Sequence, residues 1–214
     1  MVALNKRSCM MKPLELIQAI RMIKRQALAQ STQLAQLRQA LIAFVSEPAN
    51  RQVNLTNTSC GLYTRILLNS FDDDFQIVVV LWGPQSASPI HDHNGTVGAV
   101  AALAGHTIEA KYQILRTEAQ RAWLQKQETS VLEATYVTPI LPDETSQLHD
   151  MVNATDTWAA TVHIYLTPIT DFYIYEPQPD GTYIMVERKL WFDGDNAWQT
   201  WQTPLQQEVL GSGS

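Results

Sequence analysis

The chain of 214 residues has little cysteine, no excess of positive charge and no long apolar run. Its two cysteines, Cys9 and Cys60, cannot form a disulfide framework and lack metal-ligand spacing. A net charge of −6 without any basic cluster argues against nucleic acid as a partner. No stretch approaches the roughly 18 apolar residues of a membrane span, so no membrane partner is expected. The N-terminus lacks the apolar core of a signal peptide, which predicts a cytoplasmic protein.

The first part of the chain has a helical pattern. Apolar residues recur at spacings of three to five from Leu14 to Leu28 and again from Leu34 to Phe44. Ser31-Thr32 is the expected N-cap of the second set, and Pro48 is expected to close the segment. We therefore predict an N-terminal helical layer over residues 1–50 that packs on the domain after it.

From about residue 53 the pattern changes to short runs rich in β-branched and aromatic residues. Gln178-Pro179-Asp180-Gly181 predicts a hairpin turn. Short strands at such regular spacing predict one mainly β domain, an antiparallel sandwich or barrel over residues 51–210. The predicted strands cover residues 62–68, 75–82, 97–103, 106–115, 131–137, 147–152, 158–166, 172–175 and 182–191.

Histidine is scarce, yet two of the five histidines, His91 and His93, are separated only by Asp92. On a strand that spacing puts both imidazoles on one face, while Asp92 points to the other and is expected to be structural. His149 lies in a second strand-like run and is a candidate third ligand. Three neutral imidazoles suit zinc, iron, copper or nickel and leave positions open for catalysis. The alternative is a polar strand end that holds no metal.

A second polar face follows from the alternation in residues 161–165. It places Thr161, His163 and Tyr165 together. Inside a small barrel such groups need hydrogen-bond partners. They form either a satisfied core cluster or a relay beside the metal, in which His163 orients the Tyr165 hydroxyl.

Arg65 shares a strand face with Tyr63. It is either an ordinary surface residue or a fixed cation for a carboxylate, which a guanidinium binds with two donors. His106 follows a glycine at an expected turn, and we predict that it lies on the surface.

These motifs together resemble the cysteine dioxygenase family, thiol dioxygenases on the cupin fold, which is a small β-barrel of the jelly-roll type. The resemblance covers about residues 60–190, and Gly105, His149 and Asn153 fit the general cupin pattern. The matching segments are Tyr63-Thr64-Arg65, Phe75 to Gly83, Ser88 to His93, Leu148 to Asn153 and His163 to Pro168.

The resemblance implies that His91, His93 and His149 hold ferrous iron. It also implies that both atoms of O2 are added to the sulfur of a small thiol carboxylate, with L-cysteine giving cysteine sulfinate. An iron held by neutral imidazoles keeps its full charge and favours a thiolate ligand.

The resemblance further implies roles for the two polar faces. Arg65, supported by Tyr63, would bind the substrate carboxylate. Tyr165 would act beside the iron, oriented by His163. We expect a monomer or a small homo-oligomer.

Some positions depart from the family pattern. Gly98 stands where mammalian members carry a cysteine that crosslinks to the tyrosine, so no crosslink is expected. The same glycine stands where many cupins carry a glutamate ligand, which favours an all-histidine site. Leu166-Thr167-Pro168 is more similar to 3-mercaptopropionate dioxygenases, but residues 169–176 lack the arginine that those enzymes carry there. The alternatives are therefore another thiol carboxylate such as 3-mercaptopropionate, or a non-redox cupin that is a metal-dependent isomerase or a small-ligand binder.

Overall fold

The computed structural model describes residues 11–26, 28–52, 61–141 and 147–193. Cys9, Cys60 and the predicted domain end at residue 210 lie outside the described residues. The proposed division of the chain at residue 50 stays a prediction.

Two helices and a short 3-10 turn come first: α1 Pro13–Arg25, α2 Gln30–Ser46, and the turn Pro48–Arg51. The Glu15 carboxylate accepts the free Lys12 N–H at 3.0 Å, which stabilises the start of α1. The predicted cap of α2 is wrong by two residues. Ala29 is the N-cap, because its carbonyl already accepts the N–H of Thr32. None of the described helices is long and apolar enough to cross a membrane.

Twelve strands follow within the described ranges, and all of the pairings recorded for them are antiparallel. They are β1 Tyr63–Leu67, β2 Gln76–Trp82, β3 Ser86–Ala87, β4 Ile90–His91, β5 Gly98–Ala104, β6 Thr107–Glu118, β7 Arg121–Leu132, β8 Val137–Ile140, β9 Leu148–Asn153, β10 Ala159–Tyr165, β11 Asp171–Pro177 and β12 Tyr183–Lys189. One sheet has the order β1-β2-β10-β5-β8. The other has the order β3-β9-β4-β11-β12-β7-β6, and β6 also pairs with β9, so the order returns on itself. The predicted mainly β fold is confirmed.

The strand β2 explains how the helices and the barrel share a core. It is buried along its whole length. Its odd-numbered residues from Ile77 to Leu81 pack with the helices, against Leu16 and Phe44 among others. Its even-numbered residues from Val78 to Trp82 face the barrel interior. A strand that is covered on both faces has no face in contact with solvent, which accounts for the unbroken apolar run of β2.

Of the long hairpin β6–β7, the sequence predicted β6 but not β7. The strand expected over residues 131–137 is wrong, because a turn at residues 134–135 separates β7 from β8. β7 escaped prediction because its middle, residues 125–129, is polar and exposed. The two-residue strands β3 and β4 are too short to have a period. The turn over residues 178–181 is confirmed, with Gly181 at φ +80°.

Gly98 lies where two backbones approach closely. It pairs with Tyr165 of β10, and a Cβ atom built on it would lie 2.1 Å from the carbonyl oxygen of Ile164. No side chain fits this position unless the strands move apart. The absence of the crosslinking cysteine at this position therefore has a steric basis in this chain.

We expect Gly98→Ala to lower the free energy of unfolding by about 1–3 kcal/mol, because the added methyl group must push β10 away. Urea unfolding of the metal-free protein measures this. Thr129→Ala, at an exposed position of β7, is the control and should have little effect. A Gly98→Ala protein as stable as the wild type would contradict the close approach.

Candidate metal centre

The three predicted ligands meet because β4 lies between β9 and β11. In this pairing His91 is directly opposite His149. The prediction that His91 and His93 share one strand is wrong, because the strand ends at His91. A turn follows, with Asn94 at φ +47° and Gly95 at φ +74°, and the ring of His93 still reaches the other two.

The ring nitrogens of the cluster lie close together. The Nε2 atom of His149 is 3.1 Å from that of His93 and 3.2 Å from that of His91. One nitrogen from each ring can be chosen so that all three lie within 4.8 Å of one another. His93 and His149 are buried, whereas His91 is partly exposed. The cluster is therefore closed on one side and accessible on the other.

The hydrogen bonds of the rings fix which nitrogen is free. The Nδ1 atom of His91 donates to the Pro89 carbonyl at 2.9 Å. The Nδ1 atom of His149 donates to the Glu109 carboxylate at 2.7 Å. Both protons are thus on Nδ1, and the two Nε2 lone pairs converge in a buried space. Converging lone pairs repel unless a cation lies between them, so this donor set fits a transition-metal ion.

Asp92 stabilises the turn that carries His93. Its Oδ1 atom accepts the backbone N–H of Tyr173 at 3.1 Å and that of Asn94 at 3.3 Å. Its own N–H donates to the Tyr173 carbonyl at 3.1 Å. The expected structural role of Asp92 agrees with these contacts, which attach the turn to β11.

The second polar face forms a directed chain of hydrogen bonds. The Trp82 indole, which can only donate, bonds Thr161 Oγ1 at 2.9 Å. The Thr161 hydroxyl is 2.8 Å from His163 Nε2, and His163 Nδ1 is 3.2 Å from the Tyr165 oxygen. If Thr161 gives its proton to Nε2, the proton of His163 is on Nδ1 and donates to Tyr165. The Tyr165 proton is then free to point into the pocket.

Burial determines which of these hydrogen-bonded residues carry a proton. It lowers the pKa of His163 well below the usual 6.5, so the imidazole is neutral at neutral pH. It raises the pKa of Tyr165 above its ordinary value, so the phenol keeps its proton. His93 is likewise buried, and its pKa is lowered well below 6.5. A neutral imidazole is the form that binds a metal ion.

One pocket connects the histidine cluster with both polar faces. It encloses roughly 360 Å³, part of it open to solvent. Arg65 lies at one end, where its Nη2 atom donates to the Tyr63 hydroxyl at 3.1 Å. The lining residues are Tyr63, Arg65, Val78, Val80, Trp82, Ser88, His91, Met151, His163, Tyr165 and Leu190. The pocket thus combines a cation, two phenols and one candidate metal ligand, His91, with apolar side chains.

The segment after β12 covers the Arg65 end of this pocket, and the sequence did not predict that. Asp193 forms two hydrogen bonds with the backbone of Arg65, at 2.8 and 2.9 Å. The Trp191 ring centre is 5.8 Å from the guanidinium carbon of Arg65. Leu190 lines the pocket directly. The sequence could not predict these contacts, because they depend on which strand the segment after β12 packs against.

Two polar residues around the cluster were also missed. Trp82 begins the hydrogen-bond chain, and Glu109 holds His149. The available signal for Glu109 was an acidic residue within a strand, between apolar Ile108 and Ala110. His106 is exposed as predicted.

The fold and the cluster define a cupin with a candidate three-histidine metal site. The chain belongs to the cysteine dioxygenase type I family, whose model matches residues 5–178. The predicted family and the predicted cupin fold are thereby confirmed. The roles assigned to Arg65, Tyr63, His163 and Tyr165 stay predictions, as does the identity of the metal.

Several solved cupin structures are similar in fold. The cupin domain of Cnp3 from Schizosaccharomyces pombe matches at 12% identity and a TM-score of 0.39, over 54% of this chain and 68% of that chain. Oxalate oxidase in complex with glycolate matches at 16% identity and a TM-score of 0.39, over 52% of this chain and 54% of that chain. The Cupin_2 domain of an Enterobacter cloacae XRE family transcriptional regulator matches at 14% identity and a TM-score of 0.37, over 50% of this chain and 97% of that chain.

We expect the metal-free protein to lose stability as the pH falls below about 6.5. The unfolded chain binds protons at His93 and His163 there, whereas the folded protein does not, because its pKa values at these residues are lowered. Each group contributes up to about 1.4 kcal/mol per pH unit. Urea unfolding between about pH 7.5 and about pH 5.5 measures the slope.

His163→Gln removes one of these groups and should make that slope shallower. Thr129→Ala, which removes no titrating group, should keep the slope of the wild type. An unchanged slope in His163→Gln would contradict a neutral buried imidazole.

Proposed function

We propose that this protein is an iron-dependent thiol dioxygenase that oxidises L-cysteine with O2 to cysteine sulfinate. The observation that carries the proposal is the pocket that His91, Arg65 and Tyr165 line together. In the reaction the thiol loses its proton, two S–O bonds form, and both atoms of O2 end in the sulfinate. The thiol sulfur supplies the electrons that reduce O2, so no external reductant is needed. One proton is released and none is consumed.

Ferrous iron is the cofactor that we propose for the cluster. When bound by the Nε2 atoms of His91, His93 and His149, it would supply open positions for thiolate and O2 and the redox chemistry that joins them. The three imidazoles bring no negative charge of their own. The site therefore favours an anionic sulfur ligand over a neutral one.

Arg65 is the proposed binding residue for the substrate carboxylate. Its guanidinium is held by the Tyr63 hydroxyl and lies 4.8 Å from the centre of the Tyr63 ring. A fixed guanidinium loses less entropy when it binds a planar anion with two donors. The apolar walls at Val78, Val80 and Met151 keep water away from the reacting sulfur.

Tyr165 is the proposed proton-holding group of the site. In the proposed tautomer of His163, the hydrogen-bond series from Trp82 through Thr161 and His163 ends on the Tyr165 oxygen as an acceptor. Its own O–H proton is therefore available to a substrate or oxygen atom in the pocket. Since burial raises the pKa of this phenol, it acts as a hydrogen-bond donor rather than as a base.

A second candidate substrate is a thiol carboxylate without an α-amine, such as 3-mercaptopropionate. Among the described residues that line the pocket, none carries a carboxylate that would bind an ammonium group. Arg65 thus offers a charged partner to the carboxylate end of a substrate, while no described residue that lines this pocket offers one to the amine end. Comparing kcat/KM for cysteine and 3-mercaptopropionate distinguishes the two candidates.

The direct test is O2 uptake by protein loaded anaerobically with ferrous iron. Addition of L-cysteine should consume one O2 per sulfinate formed, and labelled O2 should place both labelled atoms in the product. Protein loaded with zinc is the matched control and should consume no O2. Full iron occupancy without uptake on any thiol carboxylate would overturn the dioxygenase, and activity confined to 3-mercaptopropionate would overturn the cysteine assignment.

We expect Arg65→Ala to raise the KM for cysteine on the order of 10-fold to 100-fold, because a charge-assisted bond to the carboxylate is lost. 2-Aminoethanethiol, which has no carboxylate, provides the internal control. Its KM should be unchanged by the substitution. An unchanged KM for cysteine would place the carboxylate elsewhere.

A further inference from the structure

Glu109 is a buried carboxylate outside the substrate pocket. It lies on β6, which pairs with β9, and it is only 2% exposed. Its Oε1 atom is 2.7 Å from Nδ1 of His149, itself 2% exposed. Burying a carboxylate in such a place without a compensating charge is unfavourable. Its position therefore demands a positive partner nearby.

Two further groups surround this carboxylate. The buried Thr138 hydroxyl donates a hydrogen bond to it. Lys111 is on the same strand face two residues further on, and its charge acts on Glu109. The Lys111 ammonium also contacts the exposed Glu128 carboxylate at 3.5 Å. Outward from the neutral ring of His149, the charges thus alternate in the order Glu109, Lys111 and Glu128.

The candidate ligands differ in the group that accepts the Nδ1 proton of the imidazole. His91 donates its Nδ1 proton to a neutral backbone carbonyl, that of Pro89. His149 donates its Nδ1 proton to a carboxylate. Among the described hydrogen bonds of these rings, only the one from His149 ends on a charged group. A carboxylate partner makes an imidazole a stronger donor and fixes its orientation.

We propose that Glu109 is the positioning residue of the metal centre. It holds His149 with Nε2 toward the metal and supplies a negative charge that the three imidazoles lack. Glu109 does not line the substrate pocket, so its effect on metal affinity can be measured in the absence of any thiol. This inference depends on metal binding by the three histidines, which is part of the proposed function, but not on the oxidation of any thiol.

The test is the affinity for Co(II), used as an air-stable probe, measured by competition with a chelator in the absence of thiol. Glu109→Gln keeps an oxygen acceptor for His149 and removes only the charge. We expect its affinity to fall on the order of 10-fold to 100-fold, and the visible Co(II) bands to shift. Glu128→Gln removes the outer carboxylate from the same lysine and is the matched control, with affinity near that of the wild type.

Lys111→Met gives a prediction of opposite sign. It removes the cation that competes for Glu109 and leaves the carboxylate in place, so Co(II) affinity should rise. This variant decides the question even if Glu109→Gln fails to fold. Wild-type affinity in Glu109→Gln, or a loss of affinity in Lys111→Met, would overturn the proposal. A wild type that binds Co(II) and iron but oxidises no thiol would overturn the proposed function and leave this inference standing.

Discussion

The pairing of β4 with β9 is the constraint on which the site depends. It sets His91 opposite His149, and it involves a strand of only two residues. Because side chains alternate along a strand, a slip of one residue would turn His149 to the opposite face of the sheet. Asp92 opposes such a slip, since two of its hydrogen bonds attach it to Tyr173 of β11 and a third holds Asn94 in the following turn. The neighbouring pairing of β6 with β9 holds the other edge.

The helical layer stabilises the strands from outside the barrel, so that the barrel interior can hold polar groups. β10 alternates strictly: Val162 and Ile164 pack with the helices, while His163 and Tyr165 face inward. The apolar contacts that stabilise the strand are thus made on its outer face. Its inner face is left for groups that hydrogen-bond one another. Without the helices the same strand would expose its apolar residues to water, and the inner face alone would not hold it.

The site was more predictable than the strand boundaries, and the reason is physical. The positions of His91, His93, Arg65 and Tyr165 followed from short spacings and from resemblance, neither of which needs the tertiary structure. The exposed part of β7 did not, because a strand that leaves the core has no apolar period. Partners contributed by distant strands, such as Glu109, need the register between strands, which one sequence does not contain.

Charge distribution divides the site into two parts with different requirements. On the pocket side Arg65 is a cation whose guanidinium is held by the Tyr63 hydroxyl and whose backbone bonds Asp193, and under the proposed function it binds the substrate carboxylate. On the opposite side Glu109 is an anion already engaged with His149. If a divalent ion binds between them, its charge is partly balanced from behind, and the remaining balance must come from the pocket. Under the proposed function a substrate thiolate would complete it, which would link the buried carboxylate to a preference for an anionic sulfur ligand.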